Sequence, residues 1–315
     1  MHKIREFNYS ALDYQAVADL FEAITGNDHH RPEDIQHMDN ICGPEIPFAR
    51  FIAETEGKVI AEGAYGQSIW FRSVNKLNLD IAIHPEIEGS DLRDEMYVHL
   101  VKEASRHHPK SFSVRVIEDD PLEIRFWTEH GFQQVTRESR FALDLIKFDP
   151  TQFDTAISNV ENQKIEIHSL EELKSCDPDW LQKWWQMEWL ILQDLATEEE
   201  PAVRRTLEQF EKDVQHPAII PEAFFFALDG ENYVAITGLT RYDEVTYLAD
   251  LTWAIPNHQG RNIELALKLK ALIWAQKNNA TYIIDEVVED DPIYPINLSV
   301  GFEQLPAWLV YEKQL

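Results

Sequence analysis

The chain has 315 residues, of which 44% are hydrophobic, and carries 28 Lys and Arg against 56 Asp and Glu, a net charge of −28. That length suits two domains of ordinary size, each able to bury its own core. Both halves share the acid, with 16 basic against 28 acidic residues over 1–158 and 12 against 28 beyond, which argues against a nucleic-acid partner because neutralising phosphates needs a basic surface.

Cys42 and Cys176 have no metal-ligand spacing and fit a reduced protein. The opening Met1-His2-Lys3-Ile4-Arg5-Glu6 lacks the apolar core of a signal peptide, and no run approaches the roughly 20 apolar residues that span a bilayer. The expectation is a soluble, cytoplasmic protein with no membrane partner. Its acidity keeps the surface solvated and would also attract a cationic substrate such as an amine.

In chain order, Lys3–Phe7 reads as a strand and Ala11–Ile24 as a helix with an apolar stripe of Leu12, Val17, Leu20 and Phe21. Phe48–Glu54 and Lys58–Tyr65 flank Gly57 as a hairpin. A strand at Leu77–Ile83 ends at Pro85, followed by a helix over Asp91–Arg106, a strand at Ser111–Val116, a short helix from Pro121 and a strand after Gly131. The polar stretch from about Asp149 to Gln163 reads as a linker. Beyond it come a strand at Ile165–Ile167, helices at Asp179–Leu195 and Ala202–Val214, and strands at Ala223–Leu228, Tyr233–Leu239 and Thr246–Ile255. A long helix at Asn262–Lys277, a strand at Thr281–Glu286, a short helix at Pro292–Leu298 and a strand toward Tyr311 complete the chain.

The two halves keep one ruler. Glu56-Gly57-Lys58 is answered by Asp229-Gly230-Glu231, Ile83-His84-Pro85 by Ala254-Ile255-Pro256, and His130-Gly131-Phe132 by Val300-Gly301-Phe302. The offsets are 173, 171 and 170 residues, so the chain reads as a duplicated domain, residues 1–150 and 160–315. Each copy is an α/β unit with a mixed, mainly antiparallel sheet flanked by helices. In each copy a strand stops at a proline and passes through a glycine turn into a helix, whose free N–H groups suit a pyrophosphate.

With that strand order and the Gly-Phe strand start in two copies, the sequence resembles the GNAT superfamily of acyl-CoA-dependent N-acetyltransferases in its tandem form. The stretch Pro256-Asn257-His258-Gln259-Gly260-Arg261-Asn262-Ile263-Glu264 is similar to the family's pyrophosphate loop, Gln/Arg-x-x-Gly-x-Gly/Ala. Asn297-Leu298-Ser299-Val300-Gly301-Phe302, Pro306-Ala307-Trp308-Leu309 and the helix with Glu188-Trp189 and Gln193-Asp194 resemble bacterial tandem members. Asn262 replaces the loop's first glycine, and Glu264 its last small residue. In the first copy the window starts at Glu88-Gly89-Ser90-Asp91 and is net −2 from Glu88 to Asp94, against zero over Gln259–Leu265. One such carboxylate roughly 5 Å from a phosphate charge costs on the order of 3 kcal/mol at an effective dielectric of about 20. The second copy is therefore the expected acetyl-CoA site and the first a degenerate one.

The resemblance implies direct acetyl transfer from acetyl-CoA to an amine of a small molecule or peptide, which arrives protonated and needs a base. Asp250, Glu286 and Glu188 are the candidates, each of which could equally be a paired surface acid. Where the family places a tyrosine that protonates the departing thiolate, this chain has Trp127 and Asn297. Tyr294, three residues before Asn297, is a substitute acid or a packed tyrosine. The implied cofactor contacts are Leu251 and Trp253 at the thioester, Gln259, Gly260, Arg261, Asn262 and Ile263 at the pyrophosphate, and Asn297. Trp180, Trp184 and Glu188 share a helix face with Trp185 and Trp189 nearby, fit to hold a cation or to pack. His29-His30 and His107-His108 are adjacent and do not converge on a metal. A non-catalytic acyl-CoA sensor or scaffold is the alternative reading.

Overall fold

The computed structural model describes residues 2–26, 31–42, 46–71, 75–87 and 91–315. The first elements are β1 (Lys3–Glu6), α1 (Ala11–Thr25), α2 (Pro32–Ile41), β2 (Phe48–Thr55), β3 (Lys58–Gly66), β4 (Lys76–Ile83), α3 (Leu92–Ala104), β5 (Ser111–Ile117), α4 (Pro121–Glu129) and β6 (Gln133–Asp144). Next come α5 (Asp154–Glu161), β7 (Ile165–Ser169), α6 (Leu170–Cys176), α7 (Trp180–Leu195), α8 (Leu207–Val214), β8 (Phe225–Asp229), β9 (Asn232–Thr237), β10 (Leu239–Arg241), β11 (Thr246–Ala249) and β12 (Trp253–Ala254). The chain ends with α9 (Ile263–Lys277), β13 (Tyr282–Val288), α10 (Ile293–Val300) and β14 (Glu303–Gln314). Three helices, α2, α5 and α6, were not foreseen. The last is set by a capping box between Ser169 and Glu172.

The chain forms two compact units, one of Met1–Thr136, Ala196–Val203 and Leu309–Leu315, the other of Arg137–Leu195 and Arg204–Trp308. A single cut near residue 150 does not describe them. The polar stretch after Asp149 is not a linker but holds α5, whose Val160 is buried. The segment before α8 is not helical until Leu207, and Ala202 instead bridges to Phe71. The alternation of β14 runs unbroken across Trp308 and Leu309, so nothing in the sequence marks the change of unit.

In the first unit, β1 to β4 form an antiparallel meander, and β4 runs parallel to β5 over Lys76–Asn78 and Ser111–Ser113. Alternate residues face opposite sides. Phe51, Ala61, Leu79 and Ile81 join Met96 and Leu100 of α3 in one core, while Ile52 and Val59 join Tyr14, Val17 and Leu20 of α1 in another. Leu12 lies outside the stripe expected for α1, at 82% exposure. Asp13 turns inward in its place, accepting from Arg5 and from the Asn8 N–H. The last strand closes this unit: Leu309 and Tyr311 enter its core, Lys313 Nζ donates to Tyr97 Oη at 3.1 Å, and the Leu315 N–H donates to the Lys110 carbonyl at 2.8 Å.

Between α2 and the sheet, the Arg50 guanidinium lies between Asp39, at 2.8 Å, and Glu62. One cation faces two carboxylates, and Glu62 is fully buried with Oε2 unpartnered. Burial, only partly offset by Arg50, pushes the Glu62 carboxyl up to about 8.

The second unit has two sheets. In one, β6 pairs antiparallel with β13, β13 parallel with β11, and β11 antiparallel with β10. In the other, β12, β9, β8 and β7 are antiparallel. Helix α9 is apolar nearly all round because it serves both: Leu269 and Leu272 pack with β6 and β13 residues, Ile263, Ala266 and Leu267 with β7, β8 and β9 residues. No helix among the described residues is long and apolar enough to cross a membrane.

Two outcomes follow from this packing. Leu309→Ala should destabilise the first unit by about 2–5 kcal/mol, the range for truncating a buried leucine, read as a lower urea midpoint. Because the folded value of Glu62 lies above its ordinary 4.5, its contribution is complete at low pH and declines as pH rises toward about 8. Glu62→Gln should flatten the stability–pH profile over that window in urea titrations at several pH values.

Candidate active site

The strand expected over Thr246–Ile255 is interrupted at Asp250–Thr252. The Asp250 N–H donates to the Gly238 carbonyl at 2.8 Å, yet Trp253 stands opposite Ile236. Three steps along one strand thus match two along the other, a β-bulge that re-aims the chain. Before it, β11 pairs with β13 through Leu248 and Ile284; after it, β12 pairs only with β9. The two parallel strands therefore part just beyond Leu248 and Ile284.

The ladder beyond the bulge fixes which amides face this opening. The Ile255 N–H donates to the Val234 carbonyl at 2.9 Å, so alternation turns Trp253 toward β9 and Thr252 and Ala254 away from it. The Leu251 N–H is held by Asp250 Oδ1 at 3.0 Å. The amides of Thr252 and Ala254 thus point away from β9, toward the side where the parallel strands part. Trp253 contributes through its side chain, whose Nε1 donates to Asp194 at 2.8 Å. Thr252 and Thr237 hydroxyls, 2.7 Å apart and buried, pin the bulge.

The loop into α9 leaves Ala254 through a short 3-10 turn, Pro256–His258. Gln259 Nε2 donates to the Ala254 carbonyl at 3.1 Å, tying loop to strand. Gly260 has φ +71° and Asn262 φ +61°. Asparagine fills the place of a glycine because it enters the left-handed region more easily than other side chains. Helix α9 then begins at Ile263, and its first amides have no carbonyl partner within the helix. Arg261 Nε donates to Gln163 Oε1 at 2.9 Å, which holds the guanidinium beside this start.

Glu264 is 6% exposed in the first turn of α9, and burial pushes its carboxyl above the ordinary range, offset in part by its own N–H. The bulge amides, the two left-handed residues, the helix start and Arg261 together fit a thioester joined to a pyrophosphate.

The acid and base candidates differ in their surroundings. Asp250 is exposed to solvent, yet the surrounding protein raises its carboxyl above the ordinary value; the Leu251 N–H opposes that and the Asp285 charge adds the least. Glu286 is 2.7 Å from Trp308 Nε1 and 3.4 Å from Arg140 Nε. Glu188 pairs with Arg205, which also binds Asp213; burial raises it and Arg205 opposes that. Tyr294 Oη accepts from Gln304 Nε2 at 2.5 Å, which leaves its own proton free to be donated. Asn297 is fully buried, its Nδ2 donating to Asp285 at 2.7 Å.

The tryptophan face is occupied from within the protein. Trp184 packs among Phe210, Phe224 and Phe226, and Arg204 lies over Trp185 and Trp189, 4.1 and 5.5 Å from the ring centroids. His107 Nε2 meets Tyr65 Oη at 3.1 Å, and the described residues hold no group of three or more potential metal ligands. His29-His30 and Glu88-Gly89-Ser90 lie outside the described residues.

Sequence reasoning missed Lys268, Asp285 and Thr252. A lysine within Leu267–Leu272 and an aspartate after Ile283-Ile284 each break an apolar run, which is the trace that a buried pair leaves.

No protein-family model matches the chain, and no curated protein matches its sequence. Solved structures do resemble it. A tandem GNAT protein from the clavulanic acid biosynthesis pathway, solved without AcCoA, is similar over 100% of this chain and 98% of its own, with TM-score 0.75 and 13% identity. A GCN5-related N-acetyltransferase from Sphaerobacter thermophilus has TM-score 0.65 and 12% identity over 99% of this chain and 95% of its own. A glucosamine N-acetyltransferase region of a fungal multi-domain GH3 beta-N-acetylglucosaminidase has TM-score 0.68 and 13% identity over 99% of this chain and 38% of that one. The chain has the tandem GNAT acetyltransferase fold.

Gly260→Asp tests the loop. It puts a side chain at φ +71° and a carboxylate beside the helix start, and acetyl-CoA affinity should fall about a hundredfold or more, measured by calorimetry.

Proposed function

We propose that the chain transfers an acetyl group from acetyl-CoA to a primary amine of a small molecule or peptide, and that the chemistry occurs in the second unit. The observation that carries this reading is the bulge at Asp250–Thr252 beside the parting of β11 and β13, which turns two strand amides away from β9 next to a solvent-exposed carboxylate.

Thr252 and Ala254 N–H groups hold the thioester carbonyl oxygen, and the turn at Gly260–Ile263 holds the pyrophosphate. Asp250 removes one proton from the incoming ammonium. The amine nitrogen then forms a bond to the carbonyl carbon, and the C–S bond breaks as the carbonyl re-forms. The second nitrogen proton leaves to solvent, and Tyr294 supplies the proton that the thiolate takes. Its hydrogen bond from Gln304 supports that role by accepting no proton of its own. Glu286 and Glu188, already paired with Arg140 and Arg205, rank below Asp250 as bases. The acidic surface, net −28 over the chain, favours encounter with a cationic amine.

One observation favours a second reading. Glu264 stands where the loop pattern has a small residue, so a chain that binds acyl-CoA as a sensor without transfer would tolerate it. Thiol release from acetyl-CoA across a panel of primary amines separates the two. The transferase reading expects amine-dependent release, and binding without release across the panel would favour the sensor.

Asp250→Asn should lower kcat by about 10²–10⁴-fold, the usual worth of a general base, with acetyl-CoA affinity little changed. Since the Asp250 carboxyl is raised, the rate of the unaltered protein should begin to fall, as pH drops, above the ordinary carboxylate range, and the variant should lack that limb. A variant with full activity would remove Asp250 from the mechanism.

A further inference from the structure

The loop into α9 is tied down by a side chain that lies outside the loop pattern. Gln163 stands between α5 and β7, in a turn where its own N–H donates to the Val160 carbonyl at 3.0 Å and Lys164 follows with φ +62°. Its side-chain amide makes a reciprocal pair with Arg261. Oε1 accepts from Arg261 Nε at 2.9 Å, and Nε2 donates to the Arg261 carbonyl at 3.2 Å. Nε2 also donates to the Asn159 carbonyl at 3.2 Å, which anchors the amide on α5. An amide carries both a donor and an acceptor, which a carboxylate of the same shape does not.

This pairing has two consequences at the start of α9. The carbonyl of a trans peptide and the N–H that follows it point in opposite directions. Holding the Arg261 carbonyl toward Gln163 therefore turns the Asn262 N–H away from it, and among the described residues that N–H meets no acceptor. The peptide so restrained precedes a residue at φ +61°, where asparagine stands in place of the glycine of the loop pattern. The second consequence concerns charge. Gln163 takes Arg261 by Nε, and among the described residues this neutral amide is the only side-chain partner of the guanidinium. In a chain with 56 acidic residues against 28 basic, a neutral partner fixes the arginine without cancelling its charge. His258 bonded to Asp229 at 2.9 Å and Gln259 bonded to the Ala254 carbonyl at 3.1 Å hold the beginning of the loop, and Gln163 holds the end that enters the helix.

We propose that Gln163 is a positioning residue for the pyrophosphate of acetyl-CoA: it fixes the Arg261–Asn262 peptide and the Arg261 guanidinium that receive the phosphates, and it leaves the charge of the arginine intact. This rests on acetyl-CoA as the ligand of the loop, and it brings the turn between α5 and β7 into cofactor binding.

The test uses the full chain and two ligands, acetyl-CoA and S-acetylpantetheine, which keeps the thioester and lacks the pyrophosphate. Affinities are read from the amide chemical shifts of Thr252 and Ala254. Gln163→Ala removes the ties and should weaken acetyl-CoA binding on the order of tenfold, the worth of one or two hydrogen bonds. Gln163→Glu keeps an acceptor for Arg261 Nε, but it pairs the guanidinium with a carboxylate and loses the donor to the carbonyl. It should weaken binding further, and the gap between the two variants should narrow in high salt. Gln163 is exposed, so both variants should fold. Neither should alter the affinity for S-acetylpantetheine, whereas a damaged fold would weaken both ligands alike. Equal losses for the two ligands, or acetyl-CoA affinity unchanged in both variants, would overturn the proposal and leave the transfer reading standing. An unaltered chain that binds no acetyl-CoA would overturn both.

Discussion

The second unit depends on one extra residue. Between Asp250 and Trp253 the strand gains a step on its neighbour, and that step turns the following amides while letting β12 leave β13 for β9. An unbroken register would have continued the β11–β13 ladder and closed the opening. The cost of the interruption is visible around it. The two threonine hydroxyls bond each other, Gln259 caps the Ala254 carbonyl, and Trp253 is held by Asp194. Each contact occupies a polar group that the bulge would otherwise leave without a partner, as burial requires.

The helix that follows answers two demands at once. Its body is apolar on nearly every side because both sheets of the unit pack against it, whereas its first turn must present open amides. Asn262 reconciles these by making the left-handed turn without glycine. Lys268 then places a charge one and a half turns further in, where Asp285 accepts from it. The first unit handles buried charge differently, enclosing Arg50 with Asp39 and Glu62 beneath α1 and α2. One carboxylate there has more to gain from a proton than from a share of the guanidinium.

Much of the fold was legible because the repeated landmarks are backbone necessities. Gly131 and Gly301, with φ of +84° and +101°, each end a short helix before a strand, so the spacing survived where side chains did not. The succession of strands and the loop into α9 followed from that ruler. The division of β6 and β14 between the units did not, since an amphipathic strand looks the same whichever core it enters. The bulge was equally hidden, because Thr246–Ile255 alternates like a single strand. The Lys268–Asp285–Asn297 network joins three elements that only the folded chain brings together, and the aromatic face of α7 proved to hold the protein's own Arg204 and a packed Trp184.

The two copies are unequal in what their sequences allow: the second loop is neutral overall and the first carries excess acid. Isothermal calorimetry of acetyl-CoA on the intact chain tests this most directly, with stoichiometry as the quantity of interest. The account predicts one site per chain, lost in Gly260→Asp. Two equivalent sites, or one that survives Gly260→Asp unchanged, would contradict it.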